Sequence, residues 1–119
     1  MVEIDESIKT NCLATHFGDD VKQVLTILPN KDLKIIITIP HEIFEWFIDV
    51  YEREDSPSYT NWIDHYGATE TELRAEMKGS IEEFILTICK HPVRLSNYGG
   101  PNHKMLQLCK NEIWIDVTY

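Results

Sequence analysis

Nowhere is this chain apolar for the roughly 18 to 20 residues that a membrane-crossing helix requires. Its longest apolar run, Leu33 to Ile39, is broken by Lys34 and Thr38. The opening residues, MVEIDESIKT, carry no basic head followed by an apolar segment, so no secretory signal is legible. Both absences lead us to expect a soluble, cytoplasmic protein with no membrane partner. Cysteine is scarce as well. Cys12, Cys89 and Cys109 are odd in number and far apart, which is no disulfide framework. Each adjoins an apolar residue (Leu13, Ile88, Leu108), and the expectation is reduced, buried thiols. Phosphate-gripping glycine loops and a Gly-x-Ser-x-Gly nucleophile turn are missing, and Gly99-Gly100-Pro101 is too short and opens no helix.

Basic residues are the most telling shortage. The chain has 11 Lys and Arg against 20 Asp and Glu, a formal net charge of −9. The whole imbalance lies between Glu42 and Glu83, where twelve acids face only Arg53, Arg74 and Lys78. The rest of the chain is neutral. Phosphate contacts need clustered Lys and Arg, so the charge disfavours a nucleic-acid partner and none is expected. A one-signed surface instead steers basic molecules toward it.

What is present suffices for one packed core: 119 residues with 43% hydrophobic and 10% aromatic content, read as a single domain, 1–119. The segment Ile8 to Thr15 has weak strand character. Val21 to Leu28 and Leu33 to Ile39 are rich in β-branched residues and flank the turn sequence Pro29-Asn30-Lys31-Asp32, which predicts a hairpin. Helical spacing of Val21, Val24, Leu25 and Leu28 is the competing reading of the first run. Pro40 then suits a helix start, and Phe44, Phe47, Ile48 and Tyr51 at i, i+3, i+4 and i+7 predict a helix over 41–54. Residues 55–68 read as a loop with a helical turn near Asn61 to His65. Thr69 and Glu72 look like a capping box opening a second helix, 69–90, with Gly79 as a possible kink and His91-Pro92 as its end. Val93 to Tyr98 reads as a short strand and Gly99 to Asn102 as a loop. Lys104 to Cys109 and Glu112 to Thr118 form a last hairpin across Lys110-Asn111. The fold class is α+β: an antiparallel sheet built from N- and C-terminal hairpins, with the two helices packed on one face.

The expected helix 41–54 would carry Glu42, Glu45, Asp49 and Glu52 as an acidic stripe, with Trp46 at its edge as an interface anchor. Next to it, the loop holding Tyr59, Trp62, Asp64 and Tyr66 supplies aromatic area with polar tips, suited to recognition. These nine residues are the candidate partner-binding set. His41-Glu42-x-x-Glu45 misses the zinc-protease pattern by its second histidine, and the spacings of Cys89, His91, His103 and Cys109 fit no common zinc knuckle, so no metal site or cofactor is assigned. His16, His65 and His103 read as surface or loop residues. Carboxylates are too many for an acid–base pair to be singled out, and no catalytic residue is assigned.

The Leu33 strand, Ile39-Pro40, the expected Phe44-x-x-Phe47 helix and the Trp62-x-Asp64-x-Tyr66-Gly67 loop together resemble bacterial immunity proteins of polymorphic-toxin systems. The resemblance is to small, acidic α+β chains with a W-x-D-x-Y-G-type loop and covers about a third of the sequence. It implies a stoichiometric inhibitor, not an enzyme, that occludes one cognate toxin, and a basic toxin domain would suit the −9 block. The competing reading is another interaction module, an adaptor or a phage anti-defence protein that mimics DNA. A small enzyme is a third.

Overall fold

Side-chain alternation with a period of two governs most of this chain. The computed structural model describes residues 2–53, 55–97 and 104–117. Helix α1 (Glu6–Cys12) is followed by strands β1 (Thr15–Gly18), β2 (Lys22–Ile27), β3 (Lys34–Pro40), β4 (Glu45–Tyr51) and β5 (Tyr59–Asp64). Helix α2 (Glu70–Lys90) leads to β6 (Val93–Ser96), β7 (Met105–Lys110) and β8 (Ile113–Asp116). The first five strands form an antiparallel meander in sequence order, and the last three form a second one. The class is α+β as expected, but the described residues form two sheets rather than one.

The main departure from expectation is residues 41–54, which do not form a helix. Glu45-Trp46-Phe47-Ile48-Asp49-Val50-Tyr51 is instead the fourth strand of the meander, paired on both sides. The helical spacing of Phe44, Phe47, Ile48 and Tyr51 coexists with a strand alternation in which Trp46, Ile48 and Val50 are buried. Aromatic and β-branched residues crowd this segment and favour the pleated conformation. Hydrogen bonding to β3 and β5 then decides between the two periods. The helical turn expected near Asn61 to His65 is likewise part of β5, and the weak strand at Ile8 to Thr15 is largely α1.

Other expectations hold in form. The β2–β3 hairpin closes over Asn30, whose side chain accepts from the Asp32 and Leu33 N–H groups at 2.9 and 3.0 Å. Helix α2 is capped by Thr69, whose hydroxyl accepts from the Glu72 N–H at 3.2 Å. It runs unbroken through Gly79 and ends at His91, whose Nδ1 donates to the Thr87 carbonyl at 2.9 Å. The final hairpin turns at Asn111-Glu112, one residue later than expected, because Lys110 pairs with Ile113. The loop expected at Gly99 to Asn102, along with Glu54, Tyr98, His103 and Thr118, lies outside the described residues.

One hydrophobic cluster unites these parts. Leu25, Ile27, Ile35, Ile37, Ile39, Trp46, Ile48 and Val50 from the five-stranded sheet meet Met77, Ile81, Phe84, Ile85 and Ile88 of α2. The second sheet adds Val93, Leu106 and Leu108, with Val117 just beyond β8, and Val2, Ile4 and Ile8 of the N-terminal segment and α1 join the same cluster. Gln23, fully buried, is satisfied by a reciprocal pair with the backbone of Val2 at 2.7 and 2.8 Å, which seats the N-terminal segment on β2. Cys12 and Cys89 are neighbours across α1 and α2. The Cys89 thiol donates toward the Cys12 carbonyl at 3.9 Å, and desolvation with the adjacent Cys12 thiol pushes it up to about 12. Contrary to the expectation of burial, Cys89 is exposed and the other two cysteines are half-buried.

Candidate protein-binding face

Helix α2 packs on one face of the five-stranded sheet through contacts such as Trp46–Phe84, edge-on at 5.8 Å between ring centroids. Among the described residues of the opposite face every side chain is half-buried or exposed, and none is fully buried. The strand register aligns Phe17, Val24, Thr38, Phe47 and Trp62 in one row across all five strands of that face. Phe17 is 55% exposed and Trp62 61% exposed, one at each edge of the sheet. The neighbouring row is Thr15, Thr26, Ile36, Asp49 and Thr60. This gives an apolar belt bordered by threonines.

The β4–β5 half of the belt is acidic. Glu45 and Asp64 are directly opposed across the two strands. Desolvation, then the hydrogen bond and charge of Asp64, hold the Glu45 carboxyl above the usual range. Asp64 in turn accepts from the Tyr66 hydroxyl at 3.1 Å, and this bond, followed by the carboxylate's charge, raises the Tyr66 phenol. Asp49, two residues beyond Phe47 on the same face, is raised by its own burial. The bases of this face, Lys22 and Lys34, stand on the β2–β3 half, where Lys34 lies 4.9 Å over the Tyr51 ring.

Of the nine residues expected to bind a partner, five converge here: Glu45, Asp49, Trp62, Asp64 and Tyr66. Three do not. Trp46 is wholly buried, 0% exposed, and is a core residue rather than the exposed anchor expected. Tyr59 projects to the inner side opposite Val50, half-buried. Glu52 lies beyond β4 and is ion-paired with Lys104. Glu42 stands exposed in the bend between β3 and β4. The acidic stripe expected on one helix therefore does not exist. Of the acids of the 42–83 block, Glu45, Asp49 and Asp64 lie on this sheet face, Glu70, Glu72, Glu76, Glu82 and Glu83 on α2 in the other layer, and Glu42, Glu52 and Asp55 in the connections that flank β4. Two further aromatics of this face, Phe17 in β1 and Phe47 in β4, are outside the nine, and Phe47 belongs to the apolar side of the expected helix 41–54. Alternation along Glu45–Tyr51 was the signal that could have placed Phe47 on this face.

Behind the face, His65, expected at the surface or in a loop, follows directly after β5 and is buried rather than exposed. Its Nε2 accepts the Trp46 indole N–H at 2.9 Å, and its Nδ1 faces the Glu76 carboxylate at 3.4 Å. An indole N–H only donates, so the ring holds its proton on Nδ1. This lock fixes the chain where β5 ends, next to Asp64 and Tyr66. His41 donates through Nε2 to the Asp19 carbonyl at 2.8 Å. With no helix at 41–54, His41 and Glu45 lose the facing i, i+4 geometry that a metal would have used. Among the described residues no group of three or more His, Cys, Asp or Glu is arranged to hold a metal ion. No helix among them is long and apolar enough to cross a membrane.

No family model matches this chain, and no curated protein or solved structure is significantly similar to it.

Proposed function

We propose that this protein is a stoichiometric protein-binding inhibitor of the immunity type, which neutralises a basic toxin domain by docking it on the outer face of the five-stranded sheet. The observation that carries this reading is the Glu45–Asp64 pair beside Phe47 and Trp62. Two directly opposed carboxylates and an exposed aromatic belt are each unfavourable on a free surface. A partner presenting Lys or Arg relieves both at once, since its cation neutralises the pair and its apolar rim covers Trp62. Exposed aromatic side chains with charge beside them match the composition of energetically concentrated interfaces. The acids on α2 add to the long-range field and speed encounter with a basic partner.

The test uses the protein as bait at low salt, followed by affinity and inhibition measurements on the basic protein recovered. The double reversal Glu45→Lys with Asp64→Lys and the single change Trp62→Ala are each expected to weaken binding by about tenfold or more and to release the partner's activity. The affinity of the unaltered protein is expected to fall with salt, and that of the double reversal to fall less. Unchanged affinity in both variants would remove this face from the interaction, and a recovered protein whose activity is untouched would remove the inhibitor role.

A further inference from the structure

A second feature lies where the two sheets meet. A cleft of about 530 Å3 opens between the β2–β3 turn, the end of β4, and β6. Its lining includes Arg53, Arg94 and Lys104, three of the chain's 11 bases, with the acids Asp32 and Glu52. In a chain of net charge −9, cations from three separate elements converge here, with an excess of one over the acids among the described lining residues. The volume falls within the roughly 300 to 1,000 Å3 of small-molecule sites.

The cations are not equivalent. Arg53 pairs with Asp32 at 3.0 Å, and Lys104 pairs with Glu52. Arg94 has no carboxylate partner among the described residues. Its Nε donates to Gln107 Oε1 at 3.0 Å, and its guanidinium lies 4.1 Å over the Trp114 ring. Gln107 is itself fixed by donating to Asp116 Oδ1 at 2.8 Å. Arg94, Gln107 and Asp116 stand in one row across β6, β7 and β8, so the second sheet's register builds this support. The two Nη groups of Arg94 remain for a ligand, on a guanidinium whose orientation is already set.

The backbone adds donors. The Pro92 carbonyl accepts from the Cys109 N–H at 2.9 Å and so faces β7. The Val93 carbonyl accepts from the Asn30 side chain at 3.1 Å and so faces away from β7. Alternation then turns the N–H groups of Val93 and Leu95 toward the open edge of β6, on the cleft side.

We propose that this cleft binds a small ligand through an oxyanion, a carboxylate or a phosphate, held by Arg94 with Arg53, Lys104 and the edge N–H groups of β6. Asp32 and Glu52 hold two of the cations in place in the empty cleft and compete with the ligand's charge. The site is separate from the outer sheet face, and it stands or falls independently of the inhibitor role.

The experiment is a titration of the isotopically labelled full chain with pyrophosphate in one arm and succinate in the other, at constant ionic strength. Amide and indole resonances are followed by two-dimensional NMR. The expected result is saturable shifts confined to residues 30–33, 52–53, 93–95 and 104 and to the Trp114 indole. The arm that saturates at the lower concentration identifies the oxyanion class. Arg94→Gln is expected to weaken binding by about tenfold or more, and Arg53→Gln to weaken it less. Glu52→Gln is expected to tighten it, because a competing carboxylate is gone. The spectra of the variants report whether each keeps its fold, and if Arg94→Gln does not, Arg53→Gln and Glu52→Gln carry the test. Absence of saturable shifts in both arms would overturn the proposal. So would binding that Glu52→Gln weakens, or that folded arginine variants leave unchanged.

Discussion

Trp46 and His65 are joined inside the protein by a single hydrogen bond, indole N–H to imidazole Nε2 at 2.9 Å, between the fourth strand and the residue that ends the fifth. The His65 backbone N–H also donates to the Phe44 carbonyl at 2.9 Å, so the same residue closes the β4–β5 edge twice. Replacing His65 by Ala keeps the backbone bond and deletes the side-chain one along with its packing. We expect a loss of about 2 kcal/mol in urea unfolding. His65→Gln, which retains an acceptor near the indole, is expected to lose less. Equal losses in the two variants would show that packing, not the hydrogen bond, carries the effect.

The opposed carboxylates of Glu45 and Asp64 give stability a definite pH signature. The folded Glu45 carboxyl is raised, so its ionisation opposes folding. That penalty is absent at acid pH, where both folded and unfolded states are protonated. It grows as pH rises from the ordinary carboxylate range to the raised folded value and is constant above it. Glu45→Gln is therefore expected to raise the melting temperature at neutral pH, with the gain disappearing on acidification. Asp19 behaves oppositely. The N–H groups of Lys22 and Val21 hold its carboxylate below the usual range, so the stability it adds is present above that range and is lost as pH falls. Asp19→Asn is expected to cost stability at neutral pH and nothing at strongly acid pH, measured by the same thermal scans.

The contrast between β4 and α2 shows what the sequence could convey. Helix α2 has a single period. Met77, Ile81, Phe84, Ile85 and Ile88 mark one face over many turns, Thr69 caps its start and Pro92 follows its end, so its span was legible almost to the residue. Residues 44–51 satisfy both periods at once, and a run this short cannot separate them. Pairing with β3 and β5 is non-local information, and it decided the outcome. The candidate site was affected in the same way. Glu45 and Asp49 share a face whether the spacing of four is read in a helix or in a strand, so they survive the change of structure. Trp46 does not, because in a strand it points opposite to Glu45. Phe17 joins the belt only through pairing of β1 with β2, which no local pattern announced.

Gly79 sits in the middle of α2, exposed, and a methyl group added to it meets nothing within 4 Å. No close approach or bend requires glycine there. Gly79→Ala is expected to stabilise the protein by about 0.5 to 1 kcal/mol, because alanine restricts the unfolded chain and favours the helix. The gain should show as a higher urea midpoint at unchanged slope. A loss of stability would mean that the glycine serves a contact outside the described residues.

The β7–β8 turn holds the last testable strain. Asn111 and Glu112 both have positive φ, 54° and 66°, in a two-residue connection between Lys110 and Ile113. That geometry follows the right-handed twist of the strands, and it suits Asn followed by Gly. Glu112 occupies the glycine position, where its Cβ crowds the backbone at a cost of about 1 kcal/mol. Glu112→Gly removes the crowding but frees the unfolded chain, so the net gain is expected to be about 0.5 kcal/mol. Asn111→Ala places a residue with no side-chain hydrogen-bonding capacity in the same left-handed region, and about 1 kcal/mol of stability should be lost. Urea unfolding of the two variants should therefore move in opposite directions. If Glu112→Gly destabilises, the Glu112 side chain makes a contact that outweighs the strain of its backbone.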